Sequence, residues 1–372
     1  MLIKNLKFKE VNLPVIKETY NKDYVYFGDN NLFPQETEAM VLKSTKQSYM
    51  LRRIRDMIIG GGIIEDGKSN AFLQFINNEN GNETLNDILP KIAKDLATFG
   101  AFSIKCVWSN NMQSVKKIVY FPVKKVRYEK MINDDDFEYF YYSNNWQKSR
   151  RKENEPQRIA GFNQKNIKYK EQLMYVKMDT SLDYYGLPHW VSALNYVQLD
   201  WEISNFHLSN CLNSYNPSMI ISYNNGVPTL EEQDILVKGM DENFIGSDNA
   251  GSAMISFAID KEHAMSIDKV ELNTSDERFG LLEAQIQQNL LSVNQCTNPL
   301  LMGISVPGSL GGREEVLESF ELYQLTFISQ FQKVIEKAFN KILNINSITD
   351  TYEIEEYKIF KEIENQTKED KE

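Results

Sequence analysis

Between residues 188 and 215 the chain carries two apolar seams on one helical repeat. The first reads Trp190, Leu194, Val197, Trp201, Ser204, Leu208, Cys211, Tyr215. The second reads Ser192, Tyr196, Leu199, Ile203, Phe206, Asn210. Steps of four and three alternate in both, so each follows one side of a helix, and the two sides are opposed. Asn195, Gln198, Asp200, Glu202, Asn205 and His207 fill the strips between. A surface helix needs one apolar stripe. Two opposed stripes fit a helix wedged between two neighbours, as in a ring of helices. They also fit a helix crossing the middle of one large core.

The same patterns divide the rest of the chain. Residues 1–35 look irregular, with a turn at Gly28-Asp29-Asn30-Asn31. A helix is predicted over 36–59, stopped by Gly60-Gly61-Gly62. Thr84 or Asn86 can cap a helix that runs to Phe99 and stops at Gly100. Period-2 segments then predict strands over 102–108, 116–121, 126–132, 137–142, 158–162 and 172–178. The polar, basic stretch 147–157 reads as a loop. The double-seamed helix starts at Pro188 and must end before Asn216-Pro217. A β-α-β unit follows: strand 219–223, helix 230–244, strand 253–257, with a further short strand over 264–268. A second long helix spans 276–295, with Phe279, Leu282, Ile286, Leu290 and Val293 as its seam. Glu277, Leu281, Ala284, Gln288, Leu291 and Gln295 lie opposite. After a Gly/Pro-rich stretch, 313–343 is helical with Val316, Phe320, Tyr323, Phe327, Phe331, Val334, Phe339 and Ile342 as its seam. A charged tail, 351–372, closes the chain with frayed final residues. No tandem repeat is visible.

The 372 residues allow two or three domains or one elaborated fold, and 42% apolar content is ordinary for a globular protein. A net charge of −11 argues against tight, non-specific binding of nucleic acid, which needs cations on phosphates. Loose passage of nucleic acid stays open. Cys106, Cys211 and Cys296 are far apart and predict no disulfide framework and a reducing compartment. Neither a signal peptide nor a membrane span is read. The three histidines offer no metal site: His189 and His207 share one helix but stand roughly 27 Å apart. Neither Gly60–Gly62 nor Gly308–Gly312 is followed by the Lys-Ser/Thr of a phosphate loop. No catalytic motif appears, so the chain reads as a non-enzyme without metal or cofactor. A scattered-carboxylate enzyme is the remote alternative. Lys148, Arg150, Arg151, Lys152 and Arg158 form a basic cluster, either solvated or a contact for an acidic subunit or nucleic acid.

The order of elements then matters. Two long helices flank a small α/β cap, and a Gly/Pro loop and a third long helix follow. Short motifs lie along this frame: 44–63, Leu96-Ala97-Thr98-Phe99-Gly100-Ala101-Phe102, Tyr184-Tyr185-Gly186-Leu187-Pro188, and Gly246-Ser247-Asp248-Asn249-Ala250-Gly251-Ser252. Asn298-Pro299-Leu300-Leu301-Met302-Gly303 and 315–343 complete the set. In that order the sequence resembles the portal proteins of tailed double-stranded DNA bacteriophages, of the siphophage type. Asn298 departs from the family's usual proline pair, and the chain after Leu343 is too short for a large crown.

The resemblance implies an α+β subunit with an α/β wing, a long-helix stem, a small β-α-β clip and a very short C-terminal crown or tail. The wing would be 1–187 with 313–343, the stem helices 188–215 and 271–297, and the clip 216–270. The tunnel-loop region would be 298–312, and the crown 344–372. It implies a dodecameric ring at one capsid vertex of the virion, assembled in the host cytoplasm. Double-stranded DNA would pass through it during packaging, retention and ejection. The terminase large subunit, the major capsid protein and a head-tail adaptor would be its partners. Ile304, Ser305, Val306, Pro307, Gly308, Ser309 and Leu310 would form the loop touching DNA. Glu277, Gln288 and Gln295 would face the channel, with Gln285, Gln287, Asn289 and Asn294 as further neutral amides, or that face would meet a neighbouring subunit. Trp190, Leu194, Val197, Leu199, Trp201, Ile203 and Phe206 would pack the stem. Asp248, Asn249 and Gly251 would shape the clip. The competing reading is a non-viral oligomeric scaffold or adaptor that binds a protein partner through its β-α-β cap.

Overall fold

The computed structural model describes residues 13–77, 83–131, 138–164, 167–178, 181–212, 217–223, 228–232, 252–257, 275–304 and 312–357. Residues 16–27, which read as irregular, form a hairpin of β1 (Ile16–Glu18) and β2 (Val25–Phe27). Where one helix is predicted over 36–59, the chain makes two, α1 (Phe33–Lys43) and α2 (Thr45–Ile59). Ser44 between them is extended, and its hydroxyl accepts the Gln47 amide at 3.2 Å. Such a cap stabilises a helix start by about 1 kcal/mol, so the chain turns here at little cost. α2 stops at Gly60, where a Cβ would lie 1.8 Å from the Glu355 carbonyl oxygen. That approach comes from the charged tail: β12 (Ile354–Glu355) pairs with β3 (Gly62–Ile63). Tyr352, fully buried, stacks on Phe339 at 4.6 Å beneath it.

After α3 (Asn70–Asn77), α4 (Leu85–Phe99) begins at a capping box of Thr84 and Asp87 and ends at Gly100 in the left-handed region. The predicted strands follow as β4 (Ala101–Trp108), β5 (Val115–Phe121), β6 (Val126–Tyr128), β7 (Tyr139–Tyr142), β8 (Gln157–Gly161) and β9 (Glu171–Lys177). They form one mixed sheet in the order β5-β4-β9-β8-β7-β6. Only β8 and β9 run parallel, over Ala160–Gln172 and Gly161–Leu173. α4 packs on β4 and β5, and α1 and α2 pack on α4. Ile88, Leu89, Ile92, Ala93 and Leu96 are its buried face. Arg127 of β6 is buried without a carboxylate. It donates to the carbonyls of Val126 at 2.6 Å and Asn31 at 2.7 Å, and burial lowers its pKa to about 10. These bonds pin the turn before α1 to the sheet.

Two distant motifs meet at Gly100. A Cβ there would lie 1.9 Å from the Leu187 carbonyl oxygen, and a Cβ on Gly186 would lie 2.7 Å from the Gly100 oxygen. Backbone meets backbone, and only glycine fits on either side.

The last long helix is not regular. It consists of α7 (Arg313–Tyr323), a π-helical segment (Gln324–Ile328) and α8 (Ser329–Ile345). The extra residue in the wide turn re-phases the helix. Ile335, not the expected Val334, is therefore fully buried, while Val334 is half-buried. Side chains cover carbonyls near the bulge: Thr326 Oγ1 donates to Leu322 O at 2.6 Å and Ser329 Oγ to Leu325 O at 2.7 Å.

The double-seamed helix is α5 (Leu194–Leu212), preceded by a 3-10 turn, Val191–Ala193, so it starts later than predicted. The second long helix is α6 (Ser275–Val293). The chain divides into two units, residues 1–198 with 286–372 and residues 199–285, and the boundaries fall inside these helices. In the second unit β10 (Pro217–Tyr223) and β11 (Ser252–Phe257) pair in parallel. A parallel pair requires a crossover. Thr229 and Glu232 cap a helical start at Leu230. The remainder of the expected 230–244 helix and the 264–268 strand lie outside the described residues. Phe206 and Phe279 meet at 4.8 Å within this unit.

Replacing Gly100 by alanine should destabilise the fold by roughly 3 kcal/mol or more, combining positive φ with a backbone clash. Urea unfolding of the Gly100→Ala variant reads this directly; an unchanged midpoint would refute the close packing of residues 100 and 186–187.

Candidate functional site

α6 ends in a turn built for a loop. Asn294 follows its last residue, and Gln295 adopts a positive φ of 54°. The Cys296 amide returns to Leu291 O at 2.9 Å. Asn298 then caps a 3-10 turn, Pro299–Met302, by accepting the Leu300 amide at 3.0 Å. Leu301 and Met302 are buried, so the motif acts as an anchor. Gly303 follows in the left-handed region, and a Cβ there would lie 2.6 Å from Tyr49 Oη. The Ile304 amide bonds Pro299 O at 3.0 Å. Beyond the loop, Gly312 is the N-cap of α7. The first foot of the expected tunnel loop is thus ordered by local bonds, and the second is the start of α7 itself, where the Val316 amide bonds Gly312 O at 3.2 Å.

Behind the first foot lies a buried polar joint. The Asn294 side chain donates to Gln47 Oε1 of α2 at 3.0 Å and to Leu290 O of α6 at 2.8 Å. Its oxygen meets His189 Nε2 at 2.9 Å. Tyr323 Oη of α7 donates to the Asn294 carbonyl at 2.9 Å. Four segments therefore converge on one residue. The amide orientation assigns the tautomer: with Nδ2 committed to two acceptors, Oδ1 accepts from a protonated Nε2. His189 Nδ1 then has no partner, and Phe327 and Phe331 stand edge-on to the ring at 5.1 and 5.6 Å. Burial pushes its pKa down to about 4, against the Asn294 bond that raises it. The imidazole is neutral at neutral pH. A second layer lies on the π segment: Gln324 Nε2 donates to Gln332 Oε1 at 3.1 Å, and Gln332 Nε2 donates to Ile58 O at 3.2 Å.

This geometry sorts the expected residues. Trp190, Leu194 and Val197 are buried, and Trp190 Nε1 donates to Ala97 O at 3.2 Å. Ile203 is buried and Trp201 half-buried, while Leu199 and Phe206 are 37% and 44% exposed. Leu208 of the first seam is 58% exposed as well, so both seams of α5 are partly uncovered in a single chain. Gln288 and Gln295 are exposed. Leu291, expected on their face, is buried, and so is Asn294, expected among amides open to DNA. Asn294 still bonds Leu290 O through its amide at 3.2 Å, so it continues the buried Ile286–Leu290 seam by one helical step and enters the joint from that side. Ile304 is half-buried. The remaining loop residues, Ser305 to Leu310, lie outside the described residues, as do Asp248, Asn249, Gly251, His263 and the Glu277 side chain. The joint itself is absent from the sequence reading; its one local signal is an Asn at the end of a helix seam.

Among the described residues no group of three His, Cys, Asp or Glu could hold a metal ion. No helix among them is long and apolar enough to cross a membrane.

No protein-family model and no curated protein matches the chain. Solved structures do. A chain in the virion of a native gene transfer agent particle is 14% identical, with a TM-score of 0.56 over 87% of this chain and 84% of that one. A chain in the neck of the native particle, computed with C12 symmetry, matches at a TM-score of 0.54, 14% identity and the same coverage. The fold is that of this neck component. An HK97-family phage portal protein from Corynebacterium diphtheriae, 10% identical, covers 85% of this chain and 95% of its own at a TM-score of 0.48.

The joint should make stability pH-dependent in a defined direction. The His189 pKa is lower folded than unfolded, so the unfolded chain takes up the proton first. The contribution is complete above pH of about 6.5 and lost as pH falls toward about 4. Between pH 7 and 4.5 the wild type should lose roughly 2–3 kcal/mol more than a His189→Gln variant. Equal losses in urea titrations would show that His189 is not held neutral.

Proposed function

We propose that this chain is the portal protein of a tailed phage or a phage-like particle. Copies would form a ring at one capsid vertex, and duplex DNA would pass through its channel. The observation that carries the reading is the fold shared over 87% of the chain with a component of a particle neck computed with C12 symmetry. Several features of the chain itself agree. The partly exposed apolar residues of α5, Leu199, Phe206 and Leu208, are a surface that a neighbouring copy would cover. The net charge of −11 suits a conduit, which must touch phosphates without trapping them. Exposed Gln288 and Gln295 would offer neutral, exchangeable contacts. The uncharged segment 304–310 follows the anchored turn Pro299–Met302 and would reach DNA without an electrostatic trap.

In this reading residues 1–187 with 313–343 would be the wing, 188–215 and 271–297 the stem, 298–312 the tunnel-loop region and 344–372 a short crown or tail, while 216–270 would be the clip that meets the packaging motor and later the head-tail adaptor. The chain itself hydrolyses nothing; the terminase supplies the ATPase. Packaging, retention and ejection would all use the one channel.

Negative-stain electron microscopy of the purified protein should give symmetric rings with a pore wide enough for a duplex. Compact particles without a pore at high concentration would favour the adaptor reading instead. Deleting Val306 to Ser309 should leave rings intact while DNA packaging or retention in particles falls. Normal packaging and retention by that variant would remove the loop from the mechanism.

A further inference from the structure

One side of α7 is exposed and of mixed character. It carries Glu314, Glu315, Glu318 and Glu321, and beside them Leu322 and Leu325 are 54% and 73% exposed. Glu314 and Glu315 lie in the first turn, where the helix dipole favours carboxylates. Glu318 and Glu321 lack that support. Glu318 stands four residues from Glu314 and three from Glu321, spacings at which like charges weaken a helix. Among the described residues none of the four pairs with a cation.

The opposite charge lies elsewhere in the same unit. The loop between β7 and β8 exposes Lys148, Arg150, Arg151 and Lys152. Glu153 and Glu155 share the loop, and Arg151 reaches Glu153 only at 4.0 Å with both side chains largely exposed. A positive surplus remains. The loop is also held firmly. Trp146 is buried and donates through Nε1 to Lys125 O at 2.9 Å, and Ser143 Oγ donates to Asn154 O at 2.7 Å.

Within one copy several elements separate the two faces. The loop rests on the turn Val123–Lys125, that turn packs on α1, α1 on α2, and α2 on the π segment that continues α7. We propose that the α7 face of one copy docks on the β7–β8 loop of a second copy. Glu318 and Glu321 would meet Arg150 and Arg151, with Leu322 and Leu325 covered at the contact. The partner is a second copy because both complementary faces belong to this one chain. Such a contact is heterologous: every copy offers a loop and receives at a helix, so association runs head to tail and closes into a ring when the rotation permits. The inference rests on the ring reading above and names the contact that holds it.

Paired charge reversal tests it, with association read by mass photometry and negative stain. All four sites are exposed, and circular dichroism melts check that the variants stay folded. R150E/R151E alone and E318K/E321K alone should each lose the assembled species. An equimolar mixture should regain it, because each remaining contact then joins opposite charges around an alternating ring. A chain carrying all four changes should also assemble. Rings that persist in either variant alone, or a mixture that stays dissociated, overturn the contact and leave the ring reading standing. Wild-type chains that associate into open strings, with the same loss and rescue, keep the contact and overturn the ring. Loss of DNA retention in R150E/R151E particles with assembly intact assigns the loop to nucleic acid and overturns the proposal.

Discussion

The Asn294 carboxamide is the constraint on which the first unit turns. Its two donors and its acceptor are all engaged, and its backbone carbonyl holds Tyr323. A buried amide left unpaired costs about 1–3 kcal/mol per group. The bonds can be made together only if α2, the turn before α5, the end of α6 and α7 keep fixed relative positions. Polar bonds are directional where apolar contacts are not. The joint therefore sets angles that Trp190, Leu290 and Phe331 alone would leave adjustable, and it stands at the foot of the loop that the functional reading places on DNA.

The parts of this fold that were legible are the ones with local causes. The Thr84–Asp87 box, Gly100 and the alternating strands each announce themselves within a few residues. The Ser44 break does not, because a serine inside an apolar helical repeat reads as a tolerated position. Nor does β12: Tyr352 and Ile354 sit among acidic residues, and their burial depends on Phe339 of α8 and on pairing with β3, which is remote in sequence. The π segment left a trace. Tyr323, Phe327, Phe331 and Ile335 follow in unbroken steps of four, whereas an α-helical seam alternates four with three. That run is what a widened turn requires.

The candidate site divides the same way. The two feet of the loop carry Asn, Pro and Gly at positions where caps and left-handed residues are needed. The joint behind them is spread over residues 47, 189, 294 and 323. Asn294 reads as one of the neutral amides near the end of α6, yet it stands four residues past Leu290 and eight past Ile286, on the buried seam. Helix spacing places it there, and the partners that bury it, Gln47 and His189, come from segments remote in sequence.

The π segment has one more effect. An additional residue in a helical turn advances the azimuth by about 100°. α7 and α8 are therefore two rods joined by a phase step, each aimed independently. Tyr323 and Phe327 point to the joint while Leu322 and Leu325 point away, and α8 still keeps Phe339 and Ile342 in the core. Removing that one residue would restore regular backbone bonding and turn α7 against its own core. In this helix perfect regularity and correct aim are incompatible, and the sequence is written for aim.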